Sequence, residues 1–192
     1  MEWRIRTSTF AGLIMALLLP ALALLSVASA ATSDGSQASD PTRQLGIWEG
    51  RWTYTEHDYE TPYSQAHTSD GTADCDWTPN RGFMMCDFLN RNPGAGTPVN
   101  DVAIFCYSPA ARTYMRLQVF RDAKPFLAQI TVKGNTWVTS VDFPDKRGTI
   151  IYRDVYVFSS DDKQRITTAQ ISADKGRTWV TVSRFTAVKV ST

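Results

Sequence analysis

The chain has 192 residues, and its 20 lysines and arginines are balanced by 19 aspartates and glutamates. A balanced charge argues against nucleic acid or an anionic membrane surface as the main partner. The length fits one domain, and it is large enough to bury a hydrophobic core of its own.

Residues 1–30 are predicted to be a cleaved signal peptide. Two arginines precede an apolar run from Phe10 to Val27, and Ala28-Ser29-Ala30 fits the small-residue cleavage rule. The alternative, a membrane anchor, is less favoured because Pro20 interrupts the run. We therefore expect an exported protein, periplasmic or secreted, with no stable membrane insertion after cleavage.

Residues 31–40 are rich in serine, alanine, aspartate and glycine, a composition typical of a disordered leader. Asp40-Pro41 then resembles a helix cap followed by a proline at the first helical position. This pattern predicts a short helix from Pro41 to about Gly46, which could cover one end of a barrel. The folded domain is expected to span residues 41–192.

Two glycines and two tryptophans occupy alternate positions of the next segment, namely Gly46, Trp48, Gly50 and Trp52. Alternate residues of a strand share a face, so the two indoles are expected to plug one end of a closed barrel. In a closed barrel the last strand pairs with the first, and Arg184 is predicted to lie over the indoles as a cation–π lid. The alternative is a core strand with an unrelated surface arginine.

The remaining chain alternates short strands with strong turn signals such as Pro79-Asn80-Arg81-Gly82 and Lys133-Gly134-Asn135. Short connections favour antiparallel neighbours, and barrel closure removes exposed sheet edges. The prediction is an all-β, up-and-down antiparallel barrel of about 8–10 strands. A β-sandwich is the alternative fold, because neither face of several strands is cleanly polar. The predicted strands are Trp48–His57, Gln65–Trp77, Phe83–Asn90, Asn100–Ser108, Thr113–Arg121, Phe126–Val132, Thr136–Phe143, Gly148–Phe158, Arg165–Ala173 and Thr178–Val188.

Three cysteines would be exported into an oxidising compartment. Cys75 and Cys86 are equidistant from the centre of the first strong turn, so a symmetric hairpin places them opposite each other and predicts a disulfide. A Cys86–Cys106 pair is the alternative; otherwise Cys106 is expected to be a buried free thiol. None of the three has a metal-ligand spacing, and no metal site is predicted.

Polar side chains interrupt several strands and are the best candidates for a ligand site. Arg116 and Gln118 share a strand face with Tyr114 and Phe120. If they point inward they must form an internal network or orient a ligand, whereas an outward orientation is equally open. No catalytic residues are predicted, because no nucleophile or metalloprotease motif is present. The candidate ligand-binding residues of the barrel interior are Trp48, Trp52, Tyr114, Arg116, Gln118, Tyr152, Asp154, Gln170 and Arg184.

Short motifs from Gln44 to Lys189 carry a family resemblance. They include Leu45-Gly46-Ile47-Trp48-Glu49-Gly50, the hairpin from Cys75 to Cys86, and Asp174-Lys175-Gly176-Arg177-Thr178-Trp179. With these motifs the chain resembles the bacterial lipocalin-like family catalogued as domain of unknown function 1579. Gly46-x-Trp48 and Arg184 are similar to the signature of the wider calycin superfamily. The resemblance implies a ligand-binding type of barrel without naming a ligand or cofactor.

The resemblance also bears on heme. Heme-binding relatives of this architecture use a histidine on a late strand, and this chain has no histidine after His67. A histidine-ligated heme is therefore not expected, and no other cofactor is predicted.

Three hypotheses follow for function. The first is a binding protein for a small, partly apolar ligand inside the barrel. The second is an envelope structural or interaction module with a filled core, which could present Tyr54, Tyr59 and Tyr63 as a surface. The third and weakest is a barrel hydrolase or isomerase that uses Asp154 beside Arg153. The oligomeric state is left open by all three.

Overall fold

The computed structural model describes residues 40–91, 99–121, 124–145 and 148–191. The predicted signal peptide and residues 31–39 of the predicted leader lie outside the described residues, as do residues 92–98. None of the described helices is both long and apolar enough to cross a membrane.

A 3-10 helix, Pro41–Trp48, opens the described domain. The Asp40 carboxylate accepts a hydrogen bond from the Thr42 N–H at 3.0 Å, so the predicted cap is confirmed. The helix runs two residues beyond its predicted end, and the expectation that Gly46 and Trp48 belong to the first strand is wrong. With about three residues per turn, Leu45 and Trp48 share one side of the helix, and both side chains are buried.

Ten antiparallel strands form a single closed barrel in which every strand pairs with its chain neighbours and β1 pairs with β10. The predicted up-and-down barrel is confirmed, and the sandwich alternative is wrong. Each predicted strand has its counterpart, with ends that differ by at most three residues. The strands are β1 Gly50–Asp58, β2 His67–Trp77, β3 Met84–Arg91, β4 Val99–Ser108, β5 Thr113–Phe120, β6 Phe126–Lys133, β7 Thr136–Asp145, β8 Gly148–Phe158, β9 Gln164–Ser172 and β10 Val180–Ser191.

The β2–β3 hairpin has the register that the symmetric turn predicts. Cys75 lies opposite Cys86, and the two form a disulfide with a Cα–Cα distance of 4.0 Å. Cys106 is a free thiol, as expected, but it is half-buried rather than buried, and burial raises its pKa. The predicted pairing is confirmed, and the Cys86–Cys106 alternative is wrong.

The 3-10 helix closes one end of the barrel by placing the Trp48 indole inside it. This ring stacks on Phe105 with a centroid distance of 4.4 Å, and it meets Tyr156 and Phe158 edge-on at 4.9 and 5.1 Å. Such aromatic contacts stabilise beyond the burial of area alone. In an up-and-down barrel the connections alternate between the two ends, so the β1–β2, β5–β6 and β9–β10 loops lie at the opposite end, the mouth.

Candidate ligand-binding site

A cavity of about 620 Å³ lies inside the barrel between the Trp48 floor and the mouth. Its volume falls within the range of about 300–1,000 Å³ that is typical of small-molecule sites. The lining combines aromatic rings with a small number of polar and charged side chains. The aromatic rings offer apolar surface, and the polar and charged side chains offer hydrogen-bonding groups.

Six phenylalanines line the cavity; Phe105 is buried against Trp48, and the other five are only half-buried. Phe120 ends β5 and Phe126 begins β6, so both lie beside the mouth; their ring centroids are 5.7 Å apart. Phe143 meets Phe126 edge-on, also at 5.7 Å. Because the protein leaves part of this apolar surface uncovered, a bound apolar group would gain free energy by covering it. We call this set the phenylalanine collar: Phe88, Phe120, Phe126, Phe143 and Phe185.

Arg116 and Asp154 form a buried ion pair across the cavity, with Nη1 2.8 Å from Oδ2. Arg116 Nε also donates to Gln118 Oε1 at 2.9 Å, and its Nη1 contacts the Tyr156 hydroxyl. Tyr156 and Tyr152 donate their hydroxyl hydrogens to the two Asp154 oxygens at 2.9 and 2.7 Å. We call these five residues the Arg116–Asp154 cluster. Both carboxylate oxygens are therefore already occupied by donors from the protein.

The tyrosines of this cluster keep their protons. Burial, followed by the charge of Asp154, raises the pKa of Tyr152 well above its usual value. Burial likewise raises the pKa of Tyr156. Both hydroxyls are thus neutral donors at physiological pH, and the network presents a fixed pattern of hydrogen bonds to the cavity.

Arg165 lies at the floor of the cavity and is 4% exposed. Its guanidinium carbon is 4.8 Å from the Trp48 ring centroid and 5.2 Å from that of Trp52. Its Nε and Nη1 atoms have no hydrogen-bond partner within the described parts of the chain. Burial lowers its pKa to about 10, so it remains charged at neutral pH.

Glu56 lines the cavity from β1, one inward position closer to the mouth than Tyr54. Burial raises its pKa to about 7, and the charge of Asp58 adds to the shift. Ser69 Oγ and Asn90 Nδ2 donate to Oε2 over 3.4 and 3.3 Å, which are long contacts. Glu56 is therefore a carboxyl whose charge changes near neutral pH.

The structure brings together five of the nine predicted site residues. The cavity-lining ones are Trp48, Arg116, Gln118, Tyr152 and Asp154. Trp52 and Tyr114 are buried at the closed end, where they hold the helix. The Trp52 indole N–H donates to the Trp48 carbonyl at 2.8 Å, and the Tyr114 hydroxyl lies 2.8 Å from the Pro41 carbonyl.

Gln170 and Arg184 are not in the interior. Gln170 accepts a hydrogen bond from Arg153 at 2.8 Å on the outer face of the barrel, and the Arg184 side chain is exposed. The predicted Arg184 lid is wrong because of register: Trp52 pairs with Lys189, whereas Arg184 pairs with the outward-facing His57. The arginine that covers the indoles is Arg165 of the neighbouring strand, β9.

Arg165, Glu56 and the phenylalanine collar were not among the predicted site residues. Glu56 continues the inward alternation of Trp52 and Tyr54, so that pattern could have identified it. Arg165 begins a predicted strand, where a charged residue is ordinary, and its inward orientation is shown only by its contacts with Trp48 and Trp52. The described residues hold no group of three or more histidines, cysteines or acids able to bind a metal.

No family model matches the chain, and no curated protein matches its sequence. Solved structures do match. Rv2717c from M. tuberculosis is 10% identical with a TM-score of 0.53, covering 78% of this chain and 98% of its own. The S-type phycobiliprotein lyase CPES from Guillardia theta is 12% identical with a TM-score of 0.56, covering 78% and 92%. The fold is a lipocalin-like barrel. At such low identity the similarity shows the fold alone.

Proposed function

We propose that this protein is an exported binding protein for a small, partly apolar molecule held inside the barrel. The observation that carries the proposal is the cavity of about 620 Å³ lined by the phenylalanine collar. Export rests on the predicted signal peptide. Membership of the family of domain of unknown function 1579 stays a prediction from the sequence motifs.

The chemistry of the lining supports this function. The collar offers uncovered apolar surface near the mouth, and the Arg116–Asp154 cluster offers fixed polar groups deeper in. Ligand sites combine these features: apolar surface supplies most of the affinity, and a few placed polar groups set the orientation. The ligand that fits is therefore a small amphiphile.

The geometry of the cavity supports the interaction module and the enzyme less well than it supports a binding protein. A filled-core interaction module does not account for the cavity, and Tyr54, one of its three predicted surface residues, is 7% exposed inside the barrel. An enzyme that uses Asp154 as a base needs a free oxygen, whereas both Asp154 oxygens accept hydrogen bonds from the cluster. Arg153, its predicted partner, lies on the outer face, 3.6 Å from the Trp179 ring centroid.

Titration with N-phenylnaphthylamine (NPN), a neutral dye that fluoresces in apolar surroundings, tests the proposal. Two adjacent threonines of β9 provide a matched pair: Thr167 lines the cavity, and Thr168 is the next residue and points to the outer face. We expect saturable binding to the wild-type protein. Thr167→Phe fills the cavity and should weaken binding about tenfold or more, whereas Thr168→Phe should leave it unchanged.

The outcomes separate clearly. Absence of saturable NPN fluorescence, or equal weakening by Thr167→Phe and Thr168→Phe, would overturn the proposal. Thermal unfolding of each variant confirms that the barrel is intact before the dye is added.

A further inference from the structure

The Arg165 guanidinium lies at the cavity floor, and two of its three nitrogens, Nε and Nη1, have no hydrogen-bond partner within the described chain. Among the described residues no carboxylate forms an ion pair with it, in contrast to Arg116, which is paired with Asp154. A buried donor left without an acceptor destabilises the folded state, and the penalty is larger when the group is charged. The fold therefore keeps an unfavourable feature at the deepest point of the cavity.

The tryptophan contacts explain only part of this arrangement. The guanidinium carbon lies 4.8 Å from the Trp48 ring centroid and 5.2 Å from the Trp52 ring centroid. Such cation–π contacts offset some of the cost of burying the charge. The N–H groups lie in the guanidinium plane and need acceptors there, and Nε and Nη1 have none within the described chain.

A second unpaired polar group lies on the same strand face. Thr167 is two residues from Arg165 on β9, lines the same cavity and is 4% exposed. Its hydroxyl also has no partner among the described residues. A guanidinium fork with an adjacent hydroxyl is a donor set suited to an oxyanion, since the fork matches the two oxygens of a carboxylate.

We propose that Arg165, assisted by Thr167, binds the anionic head group of the ligand, a carboxylate or similar oxyanion, at the floor of the cavity. This inference rests on the proposed function and names the class of ligand: a small anionic amphiphile that enters head first. Its apolar body then lies against the collar. Of the acids that line the cavity, Asp154 is paired with Arg116. Glu56 and Asp101 lie on β1 and β4 toward the mouth.

Two dyes with the same aromatic skeleton test the inference. NPN is neutral, and anilinonaphthalene sulfonate (ANS) adds one sulfonate to that skeleton. The measured quantity is the ratio of the two dissociation constants, because it cancels effects on the apolar part of the site. We expect Arg165→Met to weaken ANS relative to NPN by about tenfold or more. Thr167→Val should shift the ratio in the same direction by a smaller factor.

Arg184→Met is the matched control, since it removes the same charge from the exposed outer face of β10. It should leave the ratio unchanged. A ratio that is unaffected by Arg165→Met and Thr167→Val, or shifted equally by Arg184→Met, would overturn the inference while the proposed function stands. If neither dye binds the wild-type protein, the proposed function itself fails. Thr167→Val decides the outcome if Arg165→Met does not fold.

Discussion

The ion pair between Arg116 and Asp154 is buried, with side chains 11% and 7% exposed. Its effect on the free energy of unfolding depends on both partners being present. Asp154→Leu leaves a buried guanidinium without its counter-charge and should lower the free energy of unfolding by about 3–5 kcal/mol. The double variant Arg116→Met with Asp154→Leu removes both charges and should lose less than the single variant. Urea unfolding of the wild type, Asp154→Leu, Arg116→Met and the double variant measures this; strictly additive losses would contradict the account.

Glu56 should give the protein a pH-dependent stability of unusual sign. Its pKa is about 7 in the folded protein, because of burial first and Asp58 second, against 4.5 without the fold. Between these values the folded state binds one proton more than the unfolded state, so stability falls as pH rises. The loss is complete above about pH 7 and amounts to about 3 kcal/mol.

Glu56→Gln tests this prediction because it cannot ionise. The variant should lack the Glu56 contribution, so the wild-type protein should lose about 3 kcal/mol of unfolding free energy relative to it between pH 4 and pH 8. Denaturant unfolding at several pH values gives the difference. A difference that is constant with pH would show that Glu56 ionises in the folded barrel as it does in water.

Among single residues, most of those in the Arg116–Asp154 cluster were predicted from the sequence, whereas Arg165 at the cavity floor was not. Arg116, Gln118 and Asp154 stood out as polar residues within apolar strands, and all three line the cavity. Arg165 did not stand out, because its burial depends on Trp48 and Trp52, which reach it from the helix and from β1. Contacts between such distant segments leave no local pattern in the sequence.

The 3-10 helix shows why local alternation was misleading. The alternate spacing of Gly46, Trp48, Gly50 and Trp52 is compatible with a strand, but Trp48 is the last residue of the helix and its ring packs on Phe105. The Asp40 cap starts the helix, and the docking of Leu45 and Trp48 into the barrel extends it. Tertiary packing therefore decides the element, as it often overrides local propensity.

The β2–β3 hairpin makes a sharper prediction at the level of the element. The Cys75–Cys86 disulfide closes a short loop and should contribute about 3 kcal/mol in the chain-entropy treatment. Reduction should lower the melting temperature by about 6–12 °C for a domain of this size. Cys106→Ala should keep this response, and the double variant Cys75→Ala with Cys86→Ala should lack it.

Peptide mapping of the non-reduced protein provides the direct check on the same hairpin. It should return one linked peptide pair, joining Cys75 to Cys86, and alkylation should label only Cys106. A linked Cys86–Cys106 pair would contradict the strand register of this hairpin.

For the molecule as a whole, the turn signals were the informative part of the sequence. They separated all ten strands, and their short lengths required antiparallel neighbours. Which face of each strand points inward was harder to predict, because both faces of this barrel carry polar and apolar residues. Thr167 and Arg165 point in, whereas Leu127 and Val157 are exposed. Whether a barrel encloses a cavity depends on how side chains from all ten strands fill it, which no single segment determines.

Export of the whole protein can also be tested. Expression of the full chain in a bacterial host followed by osmotic-shock fractionation should release the protein with the periplasm. Its intact mass should correspond to cleavage after Ala30. A full-length product retained in the cytoplasm or the membrane would contradict the proposed export.

The central claim is that the inside of the barrel, and not its outer face, binds a small amphiphile. Isotope-labelled protein saturated with NPN allows a direct test through nuclear Overhauser effects between dye and protein. The account predicts effects from the dye to ring protons of Phe120, Phe126 and Phe143, which line the cavity. Effects confined to the exposed methyl groups of Leu127 and Val157 would instead place the dye on the outer face and contradict the account.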